Sequence, residues 1–244
     1  FESTSGITTT GSTVLTGLNT LPPGILMWRS LLQWLGGVGI IVMAVSVMPF
    51  LQVGGMQMFQ MELTSNADKV LPRTAQISFQ IIAIYVTLTA VCALALNVAG
   101  MPGFDAINHA MTTLATGGYS THDASVGHFD SATIDWIIVL FLILASLPFL
   151  QYLKAVNTSA RTLFQDPQIQ AFLKIVLAAV AFMTILLIQQ GYTPLDGLRY
   201  AAFNTISILT GTGYTSTDYM AWGSFAVSVL IVLMFVGGCA GSTT

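Results

Sequence analysis

Residues Ala115-Thr116-Gly117-Gly118-Tyr119-Ser120-Thr121-His122-Asp123 form a run of glycine and hydroxyl side chains inside an otherwise apolar chain. Just before it, residues 104–114 carry apolar side chains at helical spacing and predict a short amphipathic helix. Its length of about three turns falls well short of the roughly 20 residues needed to cross a bilayer core. Gly100-Met101-Pro102-Gly103 breaks the chain ahead of it. A helix too short to span, ending in a Gly/Thr loop between two long apolar runs, predicts a re-entrant segment.

The arrangement recurs. A second short helix is predicted over residues 195–209, and it ends in Thr210-Gly211-Thr212-Gly213-Tyr214-Thr215-Ser216-Thr217-Asp218. A shift of 95 residues lays Gly118-Tyr119 on Gly213-Tyr214, Asp123 on Asp218 and Leu114 on Leu209. Ser5-Gly6-Ile7-Thr8-Thr9-Thr10-Gly11-Ser12-Thr13 lies 107 residues before the central copy, with Gly11 on Gly118. Three copies at a period of about 100 residues constitute an internal repeat, a common device of transport proteins. The unit reads as a span from the cytoplasm, a short re-entrant helix, a Gly/Thr loop and a span back.

Composition supports lipid as the solvent. Of the 244 residues, 7% are charged and 54% hydrophobic, and the mean hydropathy is +0.78. A soluble domain carries about a quarter charged residues. Five apolar stretches are predicted to span or nearly span: residues 27–53, 75–99, 134–153, 171–189 and 220–236. The loops between the first and second and between the third and fourth contain Lys69, Arg73, Lys154, Arg161 and Lys174, five of the seven basic residues. The opposite side carries seven of the ten acids. The positive-inside bias therefore places the loops with Lys69 and Arg161 in the cytoplasm and segments 1–26, 100–133 and 190–219 outside. Trp28, Trp136 and Trp222 each stand near the outer start of an inward-running span, the depth that indole rings prefer.

This unit suits a cation. Irregular backbone at membrane depth is tolerated where protein buries it or water bathes it. Glycine takes positive φ at low cost, so carbonyls of such loops can turn toward one axis and replace the water shell of a bare ion. The carbonyl end of each short helix adds negative partial charge. Glu2, Asp105, Asp123, Asp130, Asp196 and Asp218 make the outer mouth acidic. Asp123 and Asp218 suit either a cation funnel or local caps. The Gly/Thr loops contain no Lys or Arg, which argues against an anion path.

Other classes fit less well. Nothing resembles a basic nucleic-acid stripe, a phosphate loop, a zinc helix or a hydrolase triad, so no nucleic-acid partner and no enzymatic activity are expected. Cys92 and Cys239 read as small buried hydrophobes, and His109, His122 and His128 as polar residues of loops or short helices. Gly36-Gly37-Val38-Gly39 reads as a close-packing face. A transporter coupled to H⁺ or Na⁺ would need ionisable groups near the midplane, and the apolar stretches show none. The chain opens at Phe1 and closes on Gly241-Ser242-Thr243-Thr244 directly after an apolar run, which predicts an internal fragment.

Five motifs in order carry a family resemblance: Ser5-Gly6-Ile7-Thr8-Thr9-Thr10-Gly11, Gln33-Trp34-Leu35-Gly36-Gly37-Val38-Gly39-Ile40-Ile41, Val53-Gly54-Gly55-Met56-Gln57, Gly118-Tyr119-Ser120-Thr121-His122-Asp123-Ala124-Ser125 and Gly237-Gly238-Cys239-Ala240-Gly241-Ser242-Thr243. With them the whole chain resembles the Trk/Ktr/HKT superfamily of potassium transporters, and within it the TrkH/TrkG branch. The resemblance implies an all-α polytopic membrane protein of repeated helix–pore loop–helix units around a pseudo-fourfold pore, here without the fourth repeat. It implies a filter for K⁺, also passing Rb⁺, at Gly11, Gly118 and Gly213, with ligands from Thr9, Thr10, Thr116, Gly117, Gly211 and Thr212. It implies a gate loop at Gly237, Gly238, Cys239, Ala240, Gly241, Ser242 and Thr243; Thr244 stands where the family pattern continues with Gly. Residues 1–72, 73–166 and 167–244 would be the end of the first repeat, the second repeat and the third repeat up to the gate. The resemblance further implies a homodimer in the bacterial inner membrane, controlled by a cytoplasmic nucleotide-binding ring subunit.

Overall fold

The computed structural model describes residues 1–51, 70–157, 159 and 161–243. The motif at residues 53–57, the loop with Glu62, Asp68 and Lys69 that was expected in the cytoplasm, and Thr244 lie outside the described residues. Ten α-helices occur among the described residues, and no strands do: α1 Glu2–Ile7, α2 Pro23–Leu51, α3 Val70–Val98, α4 Gly103–Leu114, α5 Ala132–Ala145, α6 Phe149–Asn157, α7 Arg161–Gln165, α8 Pro167–Gln189, α9 Pro194–Leu209 and α10 Ser224–Leu233.

Helix starts follow local chemistry. Pro167 and Pro194 occupy first-turn positions, where the missing N–H costs nothing. The Asp166 carboxylate accepts from the N–H groups of Gln168 and Ile169, and the Thr193 hydroxyl from that of Asp196. Three stretches are long and apolar enough to cross a membrane: Pro23–Met43, Gln76–Val98 and Pro167–Gln189. Between the long helices sit the short ones. The twelve-residue α4 packs against α2 and α3, and the sixteen-residue α9 against α8 and α5. Both match the re-entrant helices expected from the repeat.

Two expectations about spans are corrected. Residues 134–153 do not form one straight helix: α5 and α6 meet at 89° across Ser146-Leu147-Pro148. Pro148 lacks an N–H, and its ring disfavours the helical region for Leu147. The last span is also shorter than residues 220–236, because Tyr219–Trp222 is a 3₁₀ turn and Gly223 has φ +88 before α10 begins. Trp28 and Trp136 remain surface-exposed, whereas Trp222 is 2% exposed. The Trp222 ring packs with Met183, Leu187, Ala226 and Leu230, so it is a core residue and not an interfacial anchor.

The core runs between the short and long helices, through Tyr85, Leu96, Leu114, Ile138, Leu142, Phe149, Phe203, Leu209 and Tyr214. Phe79, Leu94, Val98, Leu177, Phe225, Val232 and Phe235 face outward instead. Lipid solvates such side chains as well as a protein core does, so close packing has to hold the helices together. Gly36 and Gly37 show it: a Cβ on Gly36 would lie 2.1 Å from the Ile7 carbonyl oxygen, and one on Gly37 3.0 Å from Ala115 Cα.

Candidate functional site

The three Gly/Thr loops share one backbone design. Each short helix ends in a residue whose N–H bonds back three positions: Thr9 to Gly6 (2.9 Å), Thr116 to Thr113 (3.0 Å) and Gly211 to Ile208 (3.0 Å). The next N–H reaches back five: Thr10 to Ser5 (3.0 Å), Gly117 to Thr112 (2.9 Å) and Thr212 to Ser207 (2.9 Å). Thr9, Thr116 and Gly211 all have positive φ (55, 49 and 69), and so do Gly11, Gly118 and Gly213 two residues later (76, 77 and 83). Left-handed backbone is costly for a residue with a Cβ, so Thr9 and Thr116 hold it against their own preference.

Side chains repeat as well. The Ser5 hydroxyl donates to the Ser12 carbonyl at 2.6 Å, and Ser207 to Tyr214 at 2.8 Å. The hydroxyls of Thr8 and Thr10 pair at 2.8 Å, as do those of Thr210 and Thr212. The central loop departs from this, because Ala115 and Gly117 fill the corresponding places.

The loops stand side by side. A Cβ on Gly11 would lie 2.0 Å from the Gly117 carbonyl oxygen, and one on Gly118 1.8 Å from the Thr212 carbonyl oxygen. Loop one therefore abuts loop two, and loop two abuts loop three. Thr116, Gly117 and Thr212 are buried, Thr9, Gly11 and Gly118 half-buried, and Thr10, Gly211 and Gly213 exposed.

A buried scaffold binds the first two loops. Arg29 on α2, 3% exposed, ion-pairs with Glu2 at 2.9 Å. It also donates to the Thr13 hydroxyl and lies 4.1 Å over the Tyr119 ring. The Tyr119 hydroxyl donates to the carbonyls of Glu2 and Ser12. Burial pushes the Glu2 carboxyl up, but hydrogen bonds from the Val14 N–H, Thr13 and Arg29 outweigh it and hold the group below its ordinary value. Gln33, also on α2, reaches loop two directly: its amide donates to the Gly117 carbonyl at 2.7 Å and accepts from the Tyr119 N–H at 3.1 Å. The sequence alone does not single out Arg29, Gln33 and Tyr119 as site residues. The available signals are a charged side chain and a polar amide within the apolar stretch 27–53.

The acids expected at an outer mouth are partly neutralised. Besides Glu2, Asp130 and Asp135 pair with Arg199 at 3.3 and 2.6 Å. Asp105 accepts from the Thr121 hydroxyl and lies 3.5 Å from His122. Asp123 and Asp218 are exposed; Asp218 caps locally, accepting from the Met220 N–H, whereas Asp123 accepts from the Leu18 N–H, 105 residues earlier. Asp218 also borders a cavity of about 460 Å³ lined by Ala124, Gly127 and residues 215–220.

Residues 237–243 dock into the bend between α5 and α6. Cys239 N–H donates to Ser146 O at 3.0 Å, Phe149 N–H to Gly241 O at 3.0 Å, and the Thr243 hydroxyl to Ala145 O at 3.1 Å. Groups freed by the helix break are satisfied by this segment. Gly237 and Gly241 have positive φ, while Ser242 and Thr243 are buried.

A family profile described as TrkH, cation transport protein, matches residues 1–244. The chain belongs to the TrkH family of cation transport proteins. Among relatives in this TrkH family, it is 43% identical over 245 residues to the Trk system potassium uptake protein TrkI of Halomonas elongata, covering 100% of this chain and 50% of that protein. It is 44% identical over 248 residues to the Trk system potassium uptake protein TrkH of Salmonella typhimurium, covering 100% of this chain and 51% of that protein. The crystal structure of the potassium transporter TrkH from Vibrio parahaemolyticus superposes with a TM-score of 0.89 at 41% identity, over 99% of this chain and 50% of that one. The chain thus spans about half the length of these TrkH-family relatives, and the all-helical membrane fold is common to it and the solved structure.

Proposed function

We propose that the chain contributes three walls of a potassium-conducting pore, with the loops at Thr9-Thr10-Gly11, Thr116-Gly117-Gly118 and Gly211-Thr212-Gly213 as its selectivity filter. The observation that carries this reading is the pair of left-handed residues, two apart, recurring at the carbonyl end of three short helices whose loops touch in series. Helix ends of that polarity favour a cation, and turned backbone carbonyls can replace its hydration shell. The names of the relatives, potassium uptake proteins, choose K⁺ among cations.

The chain divides into repeats at residues 1–72, 73–166 and 167–244, and the matching half-length leaves a fourth wall to the rest of the protein. Residues 237–243 form the gate, and their docking on the α5–α6 bend is its closed position. Asp218 joins its capping role, and Asp123 its bond to the Leu18 N–H, to a weak cation funnel. Dimerisation, a cytoplasmic nucleotide-binding ring partner and residence in a bacterial inner membrane rest on the family resemblance.

Transport is channel-like in this reading. The test is Rb⁺ uptake into proteoliposomes holding the full-length protein, under an imposed voltage and, separately, under an imposed proton gradient at zero voltage. Uptake that follows voltage alone supports the pore. Uptake that needs the proton gradient supports coupled transport instead.

A further inference from the structure

Gly117 is an anomaly among the loops. Its counterparts in the neighbouring copies are Thr10 and Thr212, whose hydroxyls pair with Thr8 and Thr210. Its φ is not in the left-handed region, so the backbone does not call for glycine there. The space explains it: a Cβ on Gly117 would lie 2.4 Å from Gln33 Cδ and 2.6 Å from its Oε1. Gln33 stands where the threonine side chain of the other loops would be.

Gln33 is 0% exposed and bonds through both ends of its amide. The NH₂ donates to the Gly117 carbonyl and the oxygen accepts from the Tyr119 N–H, so both peptide groups flanking Gly118 are held. The orientation of the amide is fixed by its partners, because a carbonyl needs a donor and an N–H needs an acceptor. The gripped Gly117 oxygen is also the atom that abuts Gly11 in loop one. One side chain on α2 thereby sets both the direction of the central loop and its contact with its neighbour.

We infer that Gln33 is a positioning residue for ion selectivity: it braces the central loop from α2 and replaces the hydroxyl pair that braces the other two loops. This rests on the filter reading above. A buried amide in a mostly apolar helix is expensive unless both of its ends are satisfied, and here they are satisfied by one loop.

The test uses the full-length protein in proteoliposomes and reads the preference for K⁺ over Na⁺ as competitors of Rb⁺ uptake. Gln33→Met keeps the volume and removes both hydrogen bonds. It is expected to lower the preference about tenfold while Rb⁺ still enters, since two bonds of ordinary strength no longer hold the loop. Gly117→Ala, which crowds the same amide from the other side, is expected to lower it as well. Adding Gln33→Ala to Gly117→Ala is expected to cost less than the two separate losses combined, the signature of residues in contact. If Gln33→Met does not reach the membrane, the cycle of Gln33→Ala and Gly117→Ala carries the test, and fully additive losses overturn the brace. An unchanged preference in Gln33→Met, together with a lost preference in Gly118→Ala, overturns the brace and leaves the filter standing. An unchanged preference in all variants, Gly118→Ala included, overturns the filter and the brace with it.

Discussion

The Thr212 carbonyl oxygen occupies the place where a side chain on Gly118 would begin, 1.8 Å from an ideal Cβ. Loop two and loop three are therefore in backbone contact, and neither can yield without moving the other. Gly118→Ala should abolish K⁺ preference or flux, because left-handed strain of about 1–2 kcal/mol adds to a clash with backbone. Rb⁺ uptake with K⁺ and Na⁺ as competitors measures it.

Gly213 tests the proposed fourth wall. Its φ is +83, and a Cβ there meets no described atom within 4 Å. Gly11 abuts loop two and Gly118 abuts loop three, so in the full-length protein a fourth loop would stand against Gly213 in the same way. Gly213→Ala should then damage flux about as much as Gly118→Ala, beyond the strain of about 1–2 kcal/mol alone. Side-by-side uptake rates at equal protein density decide it, and clearly milder damage at Gly213 would argue against a fourth loop at that position.

Arg29 ties the first two loops together from a site 3% exposed. Arg29→Met should destabilise the protein by about 2 kcal/mol, since it removes the charged hydrogen bonds to Glu2 and the Ser120 carbonyl while Thr13 and the Val14 N–H still hold the carboxylate. Thermal unfolding in detergent checks it, with Glu2→Gln expected to cost at least as much because it leaves the Arg29 cation, 3% exposed, without its carboxylate.

Acid should weaken the same corner. The Glu2 carboxyl is held below its ordinary value of 4.5. A depressed carboxyl adds stability above the unfolded value, and that stability is lost as pH falls through the folded one. The melting temperature should therefore drop as pH falls below about 4.5, and Glu2→Gln should flatten that drop. Parallel melting curves of the two proteins would contradict the assignment.

How much of this was legible in the sequence varies with the range of the interaction. The short helices α4 and α9 end at Leu114 and Leu209, as apolar spacing and the Gly/Thr loops indicated. The repeat shifts of 95 and 107 residues reappear as matched left-handed residues, because positive φ is a local demand on local residues. Pairings across the fold left no such trace. Glu2 meets Arg29 and Asp135 meets Arg199 over 27 and 64 positions, so the proposed mouth is less acidic than a charge count implies. Pro148 lay in plain view inside an apolar run, yet composition alone does not tell a span from a bend of 89°. Gln33 stands out in the sequence only as the first residue of a resemblance motif, because its partners are two atoms of a loop 84 and 86 residues away.

Thr243 tests the proposed gate. Its hydroxyl donates to Ala145 O at 3.1 Å on the α5–α6 bend. Thr243→Val keeps the shape and removes that bond, worth about 1 kcal/mol, so release of the segment should become about fivefold easier. Voltage-driven Rb⁺ flux should rise accordingly, and a flux that falls or stays level would argue that docking is not the closed position.

The most direct measurement is competition for Rb⁺ entry into proteoliposomes holding the full-length protein under a fixed voltage, with K⁺ or Na⁺ added outside. If the Gly11, Gly118 and Gly213 loops form a potassium filter, K⁺ blocks Rb⁺ entry far better than Na⁺, and Gly118→Ala erases the difference. Equal block by the two ions in the unaltered protein, or an undiminished K⁺ preference in Gly118→Ala, would contradict it.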